Sequence, residues 1–283
     1  RLRFINASAM TIFNIRMPGL PMTMVQADGQ NVRPVEVDEF QISVAETYDA
    51  IVTPTEDKAF TLVAESIDRS GMGRATLAPR VGLQAPVPPL RPKPVLGMKD
   101  MGMGGMDHGA MGHGSMQGMD HGSGGSGMSH DMRDESLVPP DVKVGVGVDM
   151  IGPMPVDRTG DKPLGLEDVP HRVLTYHDLA PLTPFPDKRE PTRSVDIHLT
   201  GNMERFMWSF DGVKLNEGAE PIRFARNERV RVNLINNSMM SHPIHIHGHF
   251  FEIVTGMPHG NPVKHTVNVM PGGKASFDLT ADA

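Results

Sequence analysis

Residues 242–249 read His-Pro-Ile-His-Ile-His-Gly-His and place four of the thirteen histidines within eight positions. Neutral imidazole is the commonest metal ligand in proteins, and its ordinary pKa near ~6.5 leaves a lone pair available at neutral pH. The alternative is a set of unrelated histidines, each hydrogen-bonded to the backbone. The density of the run favours a metal site.

The segments on both sides of this run have the pattern of β-strands. Residues 229–235 alternate polar and apolar side chains, residues 250–254 are aromatic and β-branched, and Asn236-Asn237-Ser238 is a turn signal. The decisive histidines are therefore predicted to lie on or beside a strand.

A strand sets the direction of each histidine. Side chains two positions apart share a face, so His245 and His247 are predicted to point the same way. His242 precedes a proline and could face a different ligand set. Gly248 would let a backbone or a second ligand strand approach closely. For His249, metal ligation and an ordinary hydrogen-bonded role both stay open.

The order His-Pro-x-His-x-His-Gly resembles the third-domain copper motif of the multicopper oxidases. The resemblance implies that His242 binds type 1 copper, His245 type 2 copper and His247 type 3 copper. It also implies O₂ and a reducing substrate as partners. Residues 1–8, 48–52 and 208–212 resemble cupredoxin-domain strands of the same family. The nearest subfamily by resemblance is that of the bacterial periplasmic copper-resistance (CopA-type) oxidases.

The sequence departs from that family in its ligand set. The family requires a cysteine between two histidines near its C-terminus, and this chain has no cysteine. Two His-x-His pairs expected in a first domain are also not found. We therefore expect a fragment that lacks the first domain and the His-Cys-His segment, and that is inactive alone. The parent would oxidise Cu(I) or phenol-like donors and reduce O₂ to water in copper resistance.

A second signal is the methionine-rich tract at residues 97–132, which holds nine of the 22 methionines and four histidines. Glycine fills most of its gaps, so the tract is predicted to be disordered. Thioether sulfur favours Cu(I), although a glycine-rich spacer with incidental methionines is the alternative. The candidate auxiliary Cu(I) ligands are Met98, Met101, Met103, Met106, His108, Met111, His113, Met116, Met119, His121, Met128, His130 and Met132.

Short alternating segments separated by turn residues predict an all-β chain of sandwich or barrel domains, and the resemblance implies that these are cupredoxin-like Greek-key domains. Residues 1–80 are predicted to form a partial second domain of the family, and residues 170–283 a partial third domain. Residues 81–169 are predicted to be a proline-rich linker and the tract. The net charge of −7 argues against nucleic-acid binding, and no apolar run is long enough to span a membrane. Zero cysteine is compatible with the periplasm.

Two other functions remain open on the sequence. One is a periplasmic copper-sequestering protein without turnover, which the tract supports. The other, less favoured, is a cupin-type mononuclear enzyme that uses His245, His247 and Glu252. The remaining histidines have no partner spacing and are interpreted as structural or exposed, namely His171, His177, His198, His259 and His265.

Overall fold

The computed structural model describes residues 1–104 and 137–282, and within them the regular structure is strands and short 3₁₀ helices. The all-β prediction is therefore confirmed. None of the helices in these two ranges is long and apolar enough to cross a membrane. The strands are β1 Leu2–Ile5, β2 Phe13–Arg16, β3 Met22–Ala27, β4 Gln30–Val37, β5 Glu39–Ile42, β6 Thr47–Ile51, β7 Phe60–Ser66, β8 Met72–Leu77, β9 Val156–Asp157, β10 Arg193–Asn202, β11 Met207–Phe210, β12 Arg229–Asn236, β13 His242–His245, β14 Phe251–Ile253, β15 Val263–Lys264, β16 Thr266–Val269 and β17 Gly273–Thr280. The 3₁₀ helices span Lys99–Met101, Tyr176–Asp178 and Leu215–Glu217.

The first eight strands form two antiparallel sheets, in the orders β1-β6-β3-β4 and β5-β2-β7-β8. Alternation in β3 buries Met22 and Met24 completely, because side chains two apart share a face. Phe4, Phe40 and Tyr48 pack in the same core, with centroids 5.1 and 5.2 Å apart in successive pairs. The two sheets thus close on one hydrophobic core.

The later strands form a second sandwich. One sheet has the order β11-β10-β12-β17-β14-β15, with β9 added in parallel to β17, and its partner is the two-stranded pair β13-β16. Strands β10 and β12 run parallel, whereas β12 and β17 run antiparallel. Phe251 and Phe277 stack in the core with centroids 4.2 Å apart. The histidine strand β13 is therefore one wall of this sandwich.

The segment at residues 171–182 lies along the first sandwich. Val173 bridges Glu39, and Pro181 bridges Val32. Leu174 belongs to the core of the first sandwich. The sequence placed a domain boundary at residue 170, and that boundary stays a prediction. In the structure these residues pack on the first sandwich, and Tyr176 contacts the cores of both sandwiches.

The proline-rich residues 85–94 contain no helix or strand, but one arginine fastens them to the first sandwich. The Arg91 guanidinium donates to both carboxylate oxygens of Glu39 at 3.0 and 2.6 Å, and to Glu65 at 2.6 Å. Both glutamates are fully buried and share the single positive charge of Arg91, and Glu65 also pairs with the buried Arg69 at 3.2 Å.

The structure differs from the expected disorder at residues 97–104. Asp100 forms a buried ion pair with Arg158 at 2.6 Å. Gly102 lies so close to Gly152 that an added Cβ would be 2.5 Å from its Cα. The contact needs partners about fifty residues away, which the glycine-rich composition of the tract does not reveal.

Candidate metal centre on strand β13

Strand β13 pairs antiparallel with β16, so that His242 faces Val269 and His245 faces Thr266 across the ladder. The two histidines are separated by an odd number of positions and therefore lie on opposite faces of the strand. His242 is 3% exposed, and His245 is exposed. This placement is compatible with a different ligand set for His242 and for His245, which stays a prediction.

His242 lies in a buried pocket with an aromatic wall. The Trp208 ring meets the His242 ring edge-on, with centroids 4.4 Å apart. Burial lowers the pKa of His242 to about 3, so the imidazole is neutral at ordinary pH. A neutral ring is the form that binds a metal.

The hydrogen bonds of Ser238 indicate which nitrogen of His242 carries the proton. The Ser238 hydroxyl lies 2.8 Å from His242 Nε2 and donates to Asn236 Oδ1 at 2.9 Å. The Asn236 amide orientation is fixed, because its Nδ2 donates to three backbone carbonyls. When the hydroxyl donates its proton to Asn236, the serine accepts from Nε2–H of His242. This leaves the Nδ1 lone pair of His242 for a ligand.

His245 has the opposite arrangement. Its Nδ1 lies 2.8 Å from the backbone carbonyl oxygen of His265, which can only accept. Nδ1 therefore carries the proton, and the Nε2 lone pair is the one presented to a ligand. The ring centroids of His247 and His265 lie 4.9 and 4.8 Å from that of His245.

His247 follows the strand rather than continuing it. The strand ends at His245, and His247 and Gly248 form a turn in which Gly248 has φ +74°. The rings of His245 and His247 nevertheless meet, as expected. The described residues make no close approach to Gly248, since a Cβ there would meet nothing within 4 Å, and approach by a second ligand strand stays a prediction. The glycine instead supplies the positive φ of the turn. Nδ1 of the next histidine, His249, lies 3.1 Å from the carbonyl oxygen of His247.

The other described histidines make separate contacts. His171 pairs with Glu39, and the ring nitrogens of His177 and His198 lie within hydrogen-bond distance of Thr159 and Asn237. Nε2 of His259 is buried without a hydrogen-bond partner. His265 is different, because its carbonyl and ring both touch His245. The contact of His265 with His245 was missed by the sequence analysis, because a hydrogen bond made across a strand ladder leaves no local spacing signal. The sequence pattern marks Ser238 only as a turn residue, although it lies four positions before His242 and contacts its ring.

The methionine-rich tract is described only at its start. Met98 lies at the N-terminus of the first 3₁₀ helix, Met101 is its last residue, and Met103 is 7% exposed. The ten remaining candidate ligands of the tract lie outside the described residues, namely Met106, His108, Met111, His113, Met116, Met119, His121, Met128, His130 and Met132.

In residues 1–104 and 137–282, no three His, Cys, Asp or Glu side chains are grouped closely enough to hold a metal ion. The cupin-type set therefore does not assemble. Its third member, Glu252, pairs with Arg229 instead. The tautomers of His242 and His245 and the neutral ring of His242 fit a metal, but any ion bound to them needs further donors.

A cleft of about 540 Å³ opens beside His242. Trp208 and Ser241 line it on the side of the histidine. Four thioethers also line it, from Met10, Met203, Met239 and Met240. A donor bound in this cleft would be separated from His242 by the Trp208 ring.

Two β-sandwiches, with the buried, neutral His242 on one face of β13 and the exposed His245 on the other, define a protein of the all-β class with a candidate metal centre. Two multicopper oxidase family models match residues 1–80 and 188–283, together more than half of the chain. The chain belongs to the multicopper oxidase family, whose cofactor is copper.

Relatives agree with this assignment. The chain is 46% identical over its whole length to copper resistance protein A of Escherichia coli and to a copper resistance protein A homolog of Pseudomonas syringae pv. tomato. It spans about half the length of these relatives, 51% and 50%. A laccase-like multicopper oxidase from Ochrobactrum sp. has a similar fold, with a TM-score of 0.55 and 16% identity over 99% of this chain and 48% of that one. The resemblance to cupredoxin-domain proteins is confirmed at the level of the fold.

Proposed function

We propose that the chain is the copper-binding portion of a multicopper oxidase that acts in periplasmic copper resistance. The proposal is carried by the ring nitrogen that each histidine presents without a proton, Nδ1 on His242 and Nε2 on His245. Because these atoms lie on opposite faces of β13, they serve different coppers. His242 would hold type 1 copper, His245 type 2 and His247 type 3. Copper, when bound, supplies one-electron transfer from a donor to O₂.

The residues of this chain contribute charge and position. Burial keeps His242 neutral, and Ser238 and Trp208 fix its ring. The His265 carbonyl fixes His245. The methionine-lined cleft beside His242 favours Cu(I) over a phenol as the donor, because thioether sulfur is a soft ligand that needs no deprotonation.

The test of the copper assignment uses His242→Ala and His245→Ala in the full-length protein. We expect each variant to lose a different copper, seen as separate losses of the type 1 optical band and the type 2 paramagnetic signal. His259→Ala is the control and should keep both. Loss of the same signal in both variants would contradict separate coppers.

The donor is tested with Met239→Leu and Met240→Leu. These variants should lower kcat/KM for Cu(I) and leave oxidation of 2,6-dimethoxyphenol unchanged. Met72→Leu, which lies in β8 outside the cleft, controls for the general loss of a thioether. Equal losses for both donors would contradict a thioether site for Cu(I).

The alternative is a copper-sequestering protein without turnover, and the methionine-rich tract favours it. Deletion of residues 105–132 keeps the packed start of the tract and should reduce the number of bound Cu(I) ions by several. Copper binding without O₂ consumption by the full-length protein would establish this alternative. An unchanged Cu(I) stoichiometry would rule out a binding role for the deleted residues.

A further inference from the structure

Asp28 belongs to the tight turn between β3 and β4 of the first sandwich. Asp28 and Gly29 both have positive φ, 48° and 74°, which is the geometry of an Asp-Gly hairpin turn. The Asp28 side chain is nonetheless buried, with only 2% of the residue exposed. A buried carboxylate needs partners, and those of Asp28 lie mostly in the other sandwich.

The Asp28 carboxylate holds three consecutive residues of the second sandwich. Its Oδ2 accepts the backbone N–H groups of His265 and Thr266, each at 3.1 Å, and lies 3.0 Å from Lys264 Nζ. Its Oδ1 accepts the N–H of Thr47 in the first sandwich at 2.9 Å. The carboxylate therefore fixes the backbone of residues 264–266 relative to β6.

The same backbone holds His245. The peptide group between His265 and Thr266 donates its N–H to Asp28 and accepts at its carbonyl oxygen from His245 Nδ1 at 2.8 Å. The carbonyl also accepts the N–H of Ile246 at 3.2 Å. A negative charge at the N–H end of a peptide group polarises it and strengthens the carbonyl as an acceptor.

We propose that Asp28 is a positioning residue for His245, which acts through the His265–Thr266 peptide to keep the proton on Nδ1 and present Nε2 for ligation. The arrangement extends the known pairing of a carboxylate with a metal-binding histidine by one intervening peptide group. Only the last step, ligation by Nε2, rests on the proposed copper function. The position of the proton does not.

A second buried carboxylate, Glu46, allows an effect on the position of His245 to be distinguished from a general loss of stability. Glu46 also pairs with Lys264 Nζ, at 3.1 Å, and is buried in the same place. Burial alone would lower the pKa of Lys264, but Asp28 and Glu46 raise it above the ordinary value, so the lysine stays charged. Unlike Asp28, Glu46 makes no hydrogen bond to the backbone of residues 264–266 among those described. Glu46→Gln is therefore a matched control for Asp28→Asn.

The experiment follows the tautomer of His245 in the complete, copper-free chain by long-range ¹H–¹⁵N spectra. The unmodified protein should carry the proton on Nδ1. Asp28→Asn should shift the tautomer ratio toward Nε2–H and weaken Cu(II) binding at His245 by about tenfold, as outer-shell changes at metal histidines do. Glu46→Gln should leave the ratio unchanged. A proton on Nε2 in the unmodified protein, or equal shifts in both variants, would overturn the proposal.

A second measurement tests the proposal without the Asp28→Asn variant, in case that variant does not fold. In the unmodified protein, a coupling through the hydrogen bond should join the Asp28 carboxyl carbon to the Thr266 amide nitrogen, and its absence would overturn the proposal. If both tautomer and coupling are as expected but Cu(II) does not bind at His245, the proposed copper function fails and the role of Asp28 stands.

Discussion

The Trp208 ring meets the His242 ring edge-on, with centroids 4.4 Å apart and planes inclined by 70°. Trp208 is the single tryptophan of the chain, and it is 37% exposed in the methionine-lined cleft. Fluorescence from this one residue therefore reports both on the cleft and on His242.

We expect Cu(II) bound at His242 to quench Trp208 fluorescence strongly, because a paramagnetic ion on the adjacent ring opens a fast non-radiative path. His242→Ala should remove most of the saturable quenching. His249→Ala should retain it. Titration of the unmodified protein and the two variants with Cu(II) makes the measurement, and identical quenching curves would show that copper binds elsewhere.

The pKa of His242 predicts how the stability of the metal-free protein depends on pH. Below pH ~6.5 the unfolded chain takes up a proton at residue 242, whereas the buried ring stays neutral until its own pKa of about 3. The unfolded state therefore binds more protons in this window. As the pH is lowered through this window, the free energy of unfolding should therefore decrease by up to about 1.4 kcal/mol per pH unit from this group.

Urea unfolding between pH 7 and pH 4.5, with copper removed by chelation, measures this slope. His242→Gln cannot take up the proton and should give a flatter profile than the unmodified protein. Parallel profiles for the unmodified protein and His242→Gln would contradict a neutral buried ring.

The sequence was sufficient where a feature depends on local pattern. The alternation in residues 229–235 predicted the strand that became β12, and the spacing of His245 and His247 predicted that their rings meet. It could not predict that the strand ends at His245. Where a strand ends depends on its partner, and β16 pairs only as far as Thr266.

The features missed by sequence analysis depend on distant residues. The Asp28 carboxylate and the His265 backbone are more than two hundred residues apart, and no spacing rule connects them. The start of the methionine-rich tract has a composition typical of disorder, yet residues 97–104 pack because Arg158 and Gly152 are brought to them by the fold. Composition describes what a segment can do alone and not what the rest of the chain supplies.

The close contact at Gly102 can be tested with a matched pair of glycines. Gly102 and Gly19 have similar positive φ values, 69° and 79°. A Cβ at Gly102 would lie 2.5 Å from Gly152 Cα, whereas a Cβ at Gly19 would meet nothing within 4 Å. Gly19→Ala should cost about 1–2 kcal/mol from backbone strain alone. Gly102→Ala should cost more by urea unfolding, and equal costs would contradict close packing at residues 97–104.

The buried pair of Arg158 and Asp100 should stabilise the same region. Arg158 Nη1 donates to Asp100 at 2.6 Å and to the Pro271 carbonyl oxygen at 3.0 Å. Arg158→Met leaves the Asp100 carboxylate buried without its cation, which we expect to cost about 3–5 kcal/mol in the free energy of unfolding. Arg80→Met removes the exposed pair with Asp57 and should cost less than about 1 kcal/mol.

The effect of Arg158→Met should extend to His242. Pro271 precedes Gly272, whose N–H donates to the Ser238 carbonyl at 3.3 Å, and the Ser238 hydroxyl holds His242. Loss of Arg158 frees the loop at residues 270–273, so the Trp208 emission maximum should shift in the folded variant. Arg80→Met leaves this loop untouched and should keep the emission of the unmodified protein. An unchanged emission in Arg158→Met, at full folding, would show that the loop holds His242 without the buried ion pair.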